Sequence, residues 1–289
     1  LTGKHVPGRG KTWNLTPVDR AAARTVARQT LPQKFAWFRK MCRDRSIAWN
    51  LSSLQSDSFA TIMIHRSSLL YSSFSQVMRL AKEEKLQEVW RIKFVGEPGG
   101  DARTINREWF TDVSEMLFTP ELGLFKKCEG EFFSINPESG MFTEHHLEYF
   151  EFAGSFFGKA LFQGERIVCP LAATIYKHIL GSPLTLDDLQ YIDAELHQNL
   201  LRLLETTDDA DICGLHFAVE HEFCDARVTH LLKEGGADIG VNAENKAEYI
   251  SLVLRHYLLG AISLQLKAFL SGFYASVGLP LLSVLDFRE

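Results

Sequence analysis

The 289-residue sequence lacks the long apolar runs of a membrane protein. No uninterrupted apolar stretch approaches the roughly 18 residues of a membrane helix, and no charged segment followed by an apolar one stands at the start. These absences argue against a membrane span and a signal peptide. The chain begins with Leu1 rather than methionine, as expected of a piece excised from a longer protein.

Cysteine is scarce and odd in number. A disulfide framework needs an even set of cysteines at regular spacings, whereas the five here are widely scattered. The sequence therefore predicts reduced thiols and a cytoplasmic or nuclear location. The cysteines are Cys42, Cys128, Cys169, Cys213 and Cys224.

Nucleotide-binding motifs are also missing, even where the chain comes close to one. Residues 90–94 alternate apolar and basic side chains, which predicts a half-buried strand. The glycines around Pro98 predict a turn, and Trp109 and Val113 lie on one face of the helix that follows. A strand, glycine turn and helix can hold phosphate, but neither Gly-x-Gly-x-x-Gly nor Gly-Lys-Ser/Thr is present. A nucleotide site is therefore weakly supported.

Charge is present but unevenly distributed. Residues 1–45 hold 11 basic and 2 acidic side chains, a formal +9, and the remainder carries −14. A basic segment of this kind can bind nucleic acid or an acidic partner. No aromatic-interleaved basic patch accompanies it, so a solvated linker at 1–31 with a helix near 19–29 is the favoured interpretation.

Hydrophobic periodicity predicts several core helices. One is capped by Thr143 and carries an apolar face in which Gly154 and Gly158 stand at helical spacing. Glycine inside a helix costs about 1 kcal/mol relative to alanine, so we expect another backbone to approach closely there. Gly181-Ser182-Pro183 marks a break, after which Thr185 caps the next element. Further helices are predicted over 194–205 and, as one long apolar helix, over 243–275.

Three polar clusters resemble chemical sites. Cys213-x2-His216-x4-His221-x2-Cys224 has zinc-ligand chemistry, but the gap between its histidines is shorter than the familiar finger spacing, so scattered residues are the favoured interpretation. Glu144-His145-His146 with Glu148 is interpreted as a solvated polar face. Asp101 and Glu108 form an acidic pair, for which an ion-pair or capping role is favoured over catalysis. No metal site, cofactor or nucleophile is assigned.

Short segments distributed from about Leu31 to Glu289 resemble the HECT-type ubiquitin ligases. Each segment is weak alone, but their order and spacing are those of the family. The segments are Gly96-Glu97-Pro98-Gly99, Arg107-Glu108-Trp109-Phe110, Gly123-Leu124-Phe125, Ile135-Asn136-Pro137, His146-Leu147-Glu148-Tyr149-Phe150, Tyr176-Lys177-His178-Ile179-Leu180-Gly181, Asn245-Lys246-Ala247-Glu248-Tyr249-Ile250, and Ala268-Phe269 with Gly272-Phe273. Departures occur at Arg103-Thr104, where a glycine pair is usual, and at Ser155, where an arginine is common.

The resemblance implies an α+β, mainly helical fold: the larger, N-terminal lobe of a two-lobed catalytic domain. That lobe is a large helical subdomain with a small α/β subdomain that docks the ubiquitin-conjugating enzyme. The implied division is a basic arm at 1–31, large subdomain at 32–182, small subdomain at 183–242 and closing helix at 243–289. The Thr-Cys element of the second lobe, which accepts ubiquitin as a thioester, is not found in these residues. The fragment alone is therefore expected to be inactive.

The resemblance also implies binding residues. An exposed apolar groove would receive an aromatic side chain of the conjugating enzyme, with Thr206 where an aromatic residue can occur in the family. Its positions are Leu196, Leu200, Leu203, Thr206, Cys213 and Leu215. A bare leucine stripe, by contrast, is ordinarily core. A second, non-covalent ubiquitin contact would involve Phe223 and Lys127. The implied partners are a ubiquitin-conjugating enzyme, ubiquitin and protein substrates bound through regions outside this chain.

Two alternatives remain open at this point. A non-catalytic interaction scaffold could retain the lobe's fold without productive docking, which the departures at Thr206, Arg103-Thr104 and Ser155 would favour. An independent thiol enzyme or metalloprotein would depend on the Cys213–Cys224 cluster. Neither a membrane nor nucleic acid is an expected partner, and the substrate is not indicated.

Overall fold

The computed structural model describes residues 15–52, 59–128, 130–168, 170–207, 212, 214–223 and 226–288. Most of the described secondary structure is α-helical, with three two-stranded sheets. The fold is therefore α+β and mainly helical, as predicted. The chain forms two compact units, the smaller made of Lys127–Phe132 and Pro183–Ser263 and the larger of the remaining segments.

The larger unit holds most of the helices. They are α1 (Pro17–Val26), α2 (Leu31–Ser52), α3 (Leu69–Lys82), α4 (Ala102–Leu117), α5 (His146–Gln163), α6 (Ala173–Leu180), α9 (Ser263–Ser276, from Leu264 onward) and α10 (Leu279–Leu282). The strands β1 (Phe59–Ile64) and β2 (Val89–Phe94) pair in parallel, with Ile62 opposite Ile92. The short strands β3 (Phe125–Lys127) and β4 (Phe133–Ile135) form a second sheet. Strand β2 and helix α4 confirm the two elements predicted around the glycine turn.

Aromatic packing joins β2, α4 and α5 in the core of the larger unit. The ring centroids of Trp90 and Trp109 lie 6.0 Å apart in an edge-to-face arrangement, and Trp109 contacts Phe156 at 5.4 Å. All three side chains are fully buried. The indole nitrogen of Trp109 donates a hydrogen bond of 2.9 Å to the hydroxyl of Ser73, so its polar atom is satisfied.

Helices α5 and α9 cross in close backbone contact. A β-carbon at Gly154 would overlap the carbonyl oxygen of Phe269, and one at Gly158 would lie 2.7 Å from the carbonyl oxygen of Phe273. On the opposite helix, a β-carbon at Gly272 would overlap the carbonyl oxygen of Glu151. The expectation of a close backbone approach at the two α5 glycines is thus confirmed.

The smaller unit contains helices α7 (Ala194–Glu205) and α8 (Lys246–Leu258) and a hairpin. Its strands β5 (Ala218–Phe223) and β6 (Ala226–Leu231) pair antiparallel, with Val219 opposite His230. Helix α7 spans the predicted range. The core of this unit consists of Leu189, Leu200, Leu203, Ile212, Phe217, Val219, Val241, Tyr249, Ile250, Val253 and Leu258.

The prediction of one long helix over 243–275 was wrong. The chain forms α8 and α9, separated by a 3-10 turn at Gly260–Ile262. Within the described residues, Lys246–Ser276 is the single helical stretch whose length and mean hydropathy, 1.3 over 18 residues, would suffice to cross a membrane. Buried residues make up 44% of that window, and a core helix of a soluble protein meets the same criterion. The absence of a membrane partner stays a prediction.

Helix capping agrees with the sequence at one predicted position and differs at another. Thr185 forms a reciprocal capping box with Asp188, as predicted, although the element it caps is the 3-10 helix Leu186–Tyr191. Thr143 does not cap α5, because residues 144 and 145 form a turn and the helix begins at His146. The Thr143 hydroxyl instead donates a long hydrogen bond of 3.4 Å to the carbonyl oxygen of Leu122.

Candidate functional site

Helix α7 carries most of the predicted groove. The carboxylate of Asp193 accepts a 2.9 Å hydrogen bond from the backbone nitrogen of Leu196, which fixes the helix start. Leucines at helical spacing then turn one face of α7 toward the core of the smaller unit. Leu204, at the margin of this face, is 43% exposed.

The structure separates the predicted groove residues into buried and accessible groups. Leu200 and Leu203 are only 3% and 7% exposed and belong to the core. Leu196 packs partly against that core, and Leu215 is 40% exposed. Thr206 is half-buried, with its hydroxyl donating a 2.9 Å hydrogen bond to the carbonyl oxygen of Arg202. Cys213 lies outside the described residues, and the groove itself stays a prediction.

Lys246 closes the carboxyl end of α7. Its ammonium group donates a 2.7 Å hydrogen bond to the carbonyl oxygen of Leu204 and another to that of Thr206. The last carbonyl groups of a helix have no partner within the helix, so a lysine there satisfies them and favours the helix dipole. The first turn of α8 thereby holds the end of α7 and the exposed Leu204.

Residues 215–217 precede the hairpin and connect it to the core of the smaller unit. The backbone nitrogen of Val241 donates to the carbonyl oxygen of Leu215 at 2.8 Å, and His216 bridges to Gly240. Phe217 is fully buried and meets the Tyr249 ring edge-on, with centroids 5.6 Å apart. Burial raises the pKa of Tyr249, so its phenol stays neutral through the physiological range.

A cation lies over the same buried ring. The Lys233 ammonium is 3.7 Å from the centroid of Phe217 and 2.9 Å from a carboxylate oxygen of Glu248 on α8. These contacts connect the end of the hairpin to α8 and to the core. The Lys246 hydrogen bonds hold the end of α7, which carries Leu204, and the Val241 hydrogen bond holds the backbone at Leu215.

The second predicted contact region is only partly described. The Lys127 ammonium pairs with the Glu131 carboxylate at 2.9 Å, and both side chains are more than half exposed. Phe223 lies in β5, but its side chain is outside what the structure describes. The non-covalent ubiquitin contact therefore stays a prediction.

The acidic pair near α4 has the structural role that was favoured. The carboxylate of Asp101 accepts a 2.9 Å hydrogen bond from the backbone nitrogen of Thr104 and caps the helix. Hydrogen bonds from Thr104 lower the Asp101 pKa. Glu108 lies 2.8 Å from the guanidinium of Arg66, which also pairs with Glu97. Arg66 lowers the pKa of Glu97 and stacks over the Phe94 ring at 3.8 Å.

The cluster at residues 144–148 forms a polar surface, and the cysteine–histidine cluster is only partly described. Glu144, His145 and Glu148 are exposed, as interpreted, while His146 exchanges a 2.8 Å hydrogen bond with Ser139. Among the described residues, no group of three or more His, Cys, Asp and Glu side chains is placed to hold a metal. Cys213 and Cys224 fall outside those residues, so the favoured interpretation of their cluster stays untested.

Of the two cysteines whose environment is described, one is poorly suited to nucleophilic chemistry. Cys42 is 2% exposed, and burial raises its pKa to about 12, against the smaller opposing effects of Lys159 and Arg45. Only a trace of thiolate is present near neutrality. Cys128 is half-buried.

Sequence reasoning missed some features of this surface. Tyr191, Val228 and Leu231 are large apolar side chains of the smaller unit that are 42%, 46% and 50% exposed. Leu204 was recognised on the leucine stripe but not counted among the groove positions. The Lys246 cap had no local signal, because its partners lie 42 and 40 residues earlier in the chain.

Comparisons with known proteins agree with the fold and its implied family. Residues 111–289 match the family described as HECT-domain (ubiquitin-transferase). The chain is 33% identical over 228 residues to the human E3 ubiquitin-protein ligase NEDD4, covering 78% of this chain and 17% of that protein. It is 35% identical over 230 residues to human HECW1, covering 79% of this chain and 14% of that protein.

A fungal relative extends the comparison beyond animals. The E3 ubiquitin-protein ligase TOM1-like of Neurospora crassa is 32% identical over 230 residues, which is 79% of this chain and 6% of the relative. The chain thus spans less than a fifth of the length of each of these three relatives.

Proposed function

Because this chain belongs to the HECT-domain family of ubiquitin transferases, we propose that its smaller unit recruits a ubiquitin-conjugating enzyme. The recruited enzyme would pass ubiquitin to an acceptor cysteine outside these 289 residues and then to a substrate lysine. The contribution of this chain is positioning. It holds one reactant where the next can reach it, which is the proximity component of catalysis.

The observation that carries this proposal is that large apolar side chains of the smaller unit are exposed on backbone that hydrogen bonds hold in place. Leu204 and Leu215 are 43% and 40% exposed, while the elements that carry them are capped by Lys246 and paired to Val241. Binding energy at protein interfaces is concentrated in a few apolar contacts that lose water on docking. Two exposed leucines on fixed backbone are suited to that role.

The test is a titration of the purified chain against a panel of ubiquitin-conjugating enzymes. We expect saturable binding that Leu215→Asp and Leu204→Asp each weaken at least tenfold, a loss of about 1.4 kcal/mol. Leu264→Asp is the matched control, because Leu264 is 63% exposed but belongs to the larger unit. Leu200→Asp is unsuitable, since a charge at a 3% exposed core position would unfold the unit.

Two results would overturn the docking proposal. One is equal weakening by the control and by both test variants. The other is the absence of binding across the whole panel, which would favour a non-catalytic scaffold with this fold. Unchanged melting temperatures of the exposed-site variants would show that any loss is local.

We also propose that the isolated chain forms no ubiquitin thioester. The Cys42 thiol is buried and its pKa is raised to about 12, so it is neither accessible to a charged conjugating enzyme nor ionised near neutrality. Incubation with a ubiquitin-charged conjugating enzyme should therefore give no reducible adduct on non-reducing gels. A band removed by dithiothreitol and traced to any of the five cysteines would contradict this.

The expected compartment is the cytosol or nucleus, where reducing conditions keep scattered thiols free. Cys42 is a free thiol in the structure. Fluorescence microscopy of the tagged full-length protein would test this expectation, and a secreted or lumenal distribution would contradict it.

A further inference from the structure

A basic cleft of about 700 Å³ lies in the larger unit, apart from the surface considered above. Arg39 and Arg43 reach it from α2, Arg91 from β2 and Arg103 from α4. Its volume lies within the range of roughly 300–1,000 Å³ that is typical of small-molecule sites. The cleft therefore brings four guanidinium groups from three separated chain segments around a ligand-sized space.

The charge of this cleft is not balanced internally. Glu165 is the single carboxylate among its described lining residues, which leaves a formal +3. None of the four guanidinium groups takes part in an ion pair with a described residue. All four arginines are exposed, so solvent screens part of their mutual repulsion, and a bound anion would relieve the rest.

Hydrogen-bonding capacity in the cleft is biased toward donation. The side-chain oxygen of Asn106 already accepts from the backbone nitrogen of Ile92 at 3.0 Å. That of Gln163 accepts from the backbone nitrogen of Trp90 at 3.1 Å. Both side-chain amide acceptors on the lining are thus occupied, while each guanidinium offers several N–H groups. A ligand made of acceptors fits such a lining better than one that must also donate.

One of the arginines is oriented before any ligand binds. The guanidinium carbon of Arg91 lies 4.1 Å from the centroid of the Phe59 ring, a stacking distance. Stacking holds the flat face of the group and leaves its N–H edges available. It also reduces the rotamer entropy that binding would otherwise cost.

We propose that this cleft binds a small ligand carrying several phosphate groups. Phosphate oxygens are acceptors only, they match the guanidinium fork, and clustered phosphates supply the multiple negative charge that the lining lacks. An acidic peptide is a poorer fit, because each carboxylate carries one negative charge whereas a phosphate group carries about −1.5 to −2. The site is independent of the docking proposal and stands whether or not a conjugating enzyme binds.

Isothermal titration with two phosphate probes tests the site. Inositol hexakisphosphate and inorganic tripolyphosphate both carry several phosphate groups. The probe that binds with higher affinity shows whether the cleft prefers phosphates on a ring or in a linear chain. We expect one saturable site per chain that weakens as ionic strength rises from about 0.01 M to about 0.15 M, where the Debye length falls from about 30 to about 8 Å. Arg39→Gln/Arg43→Gln/Arg103→Gln should weaken binding more than tenfold.

The matched control removes three exposed positive charges elsewhere on the chain. Lys82→Gln/Arg255→Gln/Lys267→Gln changes the net charge by the same amount, and we expect less than about a threefold loss, as screening predicts. Arg91→Lys keeps the charge but removes the fork and the stacked plane, and should also weaken binding. That single variant remains informative if the triple variant fails to fold.

Three outcomes would overturn the proposal: no saturable binding of either phosphate probe, equal losses in the two triple variants, or equally tight binding of hexaglutamate. The first would leave the cleft without a phosphate ligand. The second would show diffuse attraction to a positive surface. The third would assign the cleft to acidic protein segments instead.

Discussion

The ammonium nitrogen of Lys159 lies 2.8 Å from the carbonyl oxygen of Leu86, 73 residues earlier in the chain. It also donates to the carbonyl oxygen of Glu88 and lies 5.2 Å above the Trp90 ring. The Lys159 side chain is fully buried. The side-chain nitrogen of a lysine buried in the core of the larger unit thus connects α5 to the segment that enters β2.

Burial makes the contribution of Lys159 to stability depend on pH. Desolvation lowers the pKa of Lys159 well below its usual value, while Glu88 and Cys42 act in the opposite direction. Between that lowered pKa and the ordinary 10.5 of the unfolded chain, the unfolded state binds more protons. The free energy of unfolding should therefore rise with pH there, by at most about 1.4 kcal/mol per pH unit.

Chemical denaturation of the parent and of Lys159→Met at several pH values between 7 and 10 measures this effect. As pH rises, the free energy of unfolding of the parent should increase relative to that of Lys159→Met. Lys82→Met, at an exposed position, serves as the control and should show no such trend. Parallel curves for the parent and Lys159→Met would rule out a lowered lysine pKa.

The crossing of α5 and α9 should not tolerate alanine. Gly154→Ala and Gly272→Ala each place a methyl group against a backbone carbonyl of the opposite helix, which cannot move independently. We expect each to destabilise by about 1–3 kcal/mol, more than the gain in helix propensity. Gly99→Ala meets no atom within 4 Å and should change the denaturation midpoint little. Similar midpoints for all three would contradict the close crossing.

Two fully buried serines should respond in opposite ways. Among the described residues, the Ser155 hydroxyl has no hydrogen-bond partner, whereas that of Ser73 accepts from the Trp109 indole nitrogen at 2.9 Å. Ser155→Ala should leave stability unchanged or raise it, because it removes an unsatisfied polar atom. Ser73→Ala should cost about 1–3 kcal/mol by leaving a buried donor unpaired. The melting temperatures of both variants test this. A larger decrease for Ser155→Ala than for Ser73→Ala would show that the Ser155 hydroxyl is not the unsatisfied one.

Removing the cap on α7 should weaken the smaller unit and the surface that it supports. Lys246→Met deletes both hydrogen bonds to the helix end, at an expected cost of about 1 kcal/mol. Faster hydrogen exchange at the carboxyl end of α7 would report the fraying. Lys246→Arg should restore most of the protection, and Lys267→Met, exposed on α9, should have no effect. Unchanged exchange in Lys246→Met would show that the cap is dispensable.

The sequence predicted well wherever a local pattern was sufficient. Period-two alternation located β2, and the spacing of leucines located α7. The Gly154 and Gly158 pair even indicated the close approach of a partner helix, although not which helix it was. These features depend on backbone propensity and on one apolar face, both of which are encoded in a few adjacent residues.

Local patterns failed where distant residues decide. The apolar run over 243–275 was continuous in pattern, yet the backbone breaks at Gly260–Ile262. Thr143 has the right chemistry for a cap, but α5 begins three residues later. Leu200 and Leu215 were assigned to one groove, although the first is core and the second exposed. The burial of a side chain depends on which other residues pack against it, and the spacing of apolar residues in the sequence does not determine that.

The sequence by itself determined the family, the mainly helical α+β class and the segments that form the elements, because these follow from motif order and periodicity. Tertiary structure alone decided three other features: which leucines of the smaller unit remain accessible, that Lys159 is buried against distant carbonyls, and that four scattered arginines line one cleft. The physical reason is that desolvation and charge proximity depend on atoms brought together across the chain, which no local sequence pattern records.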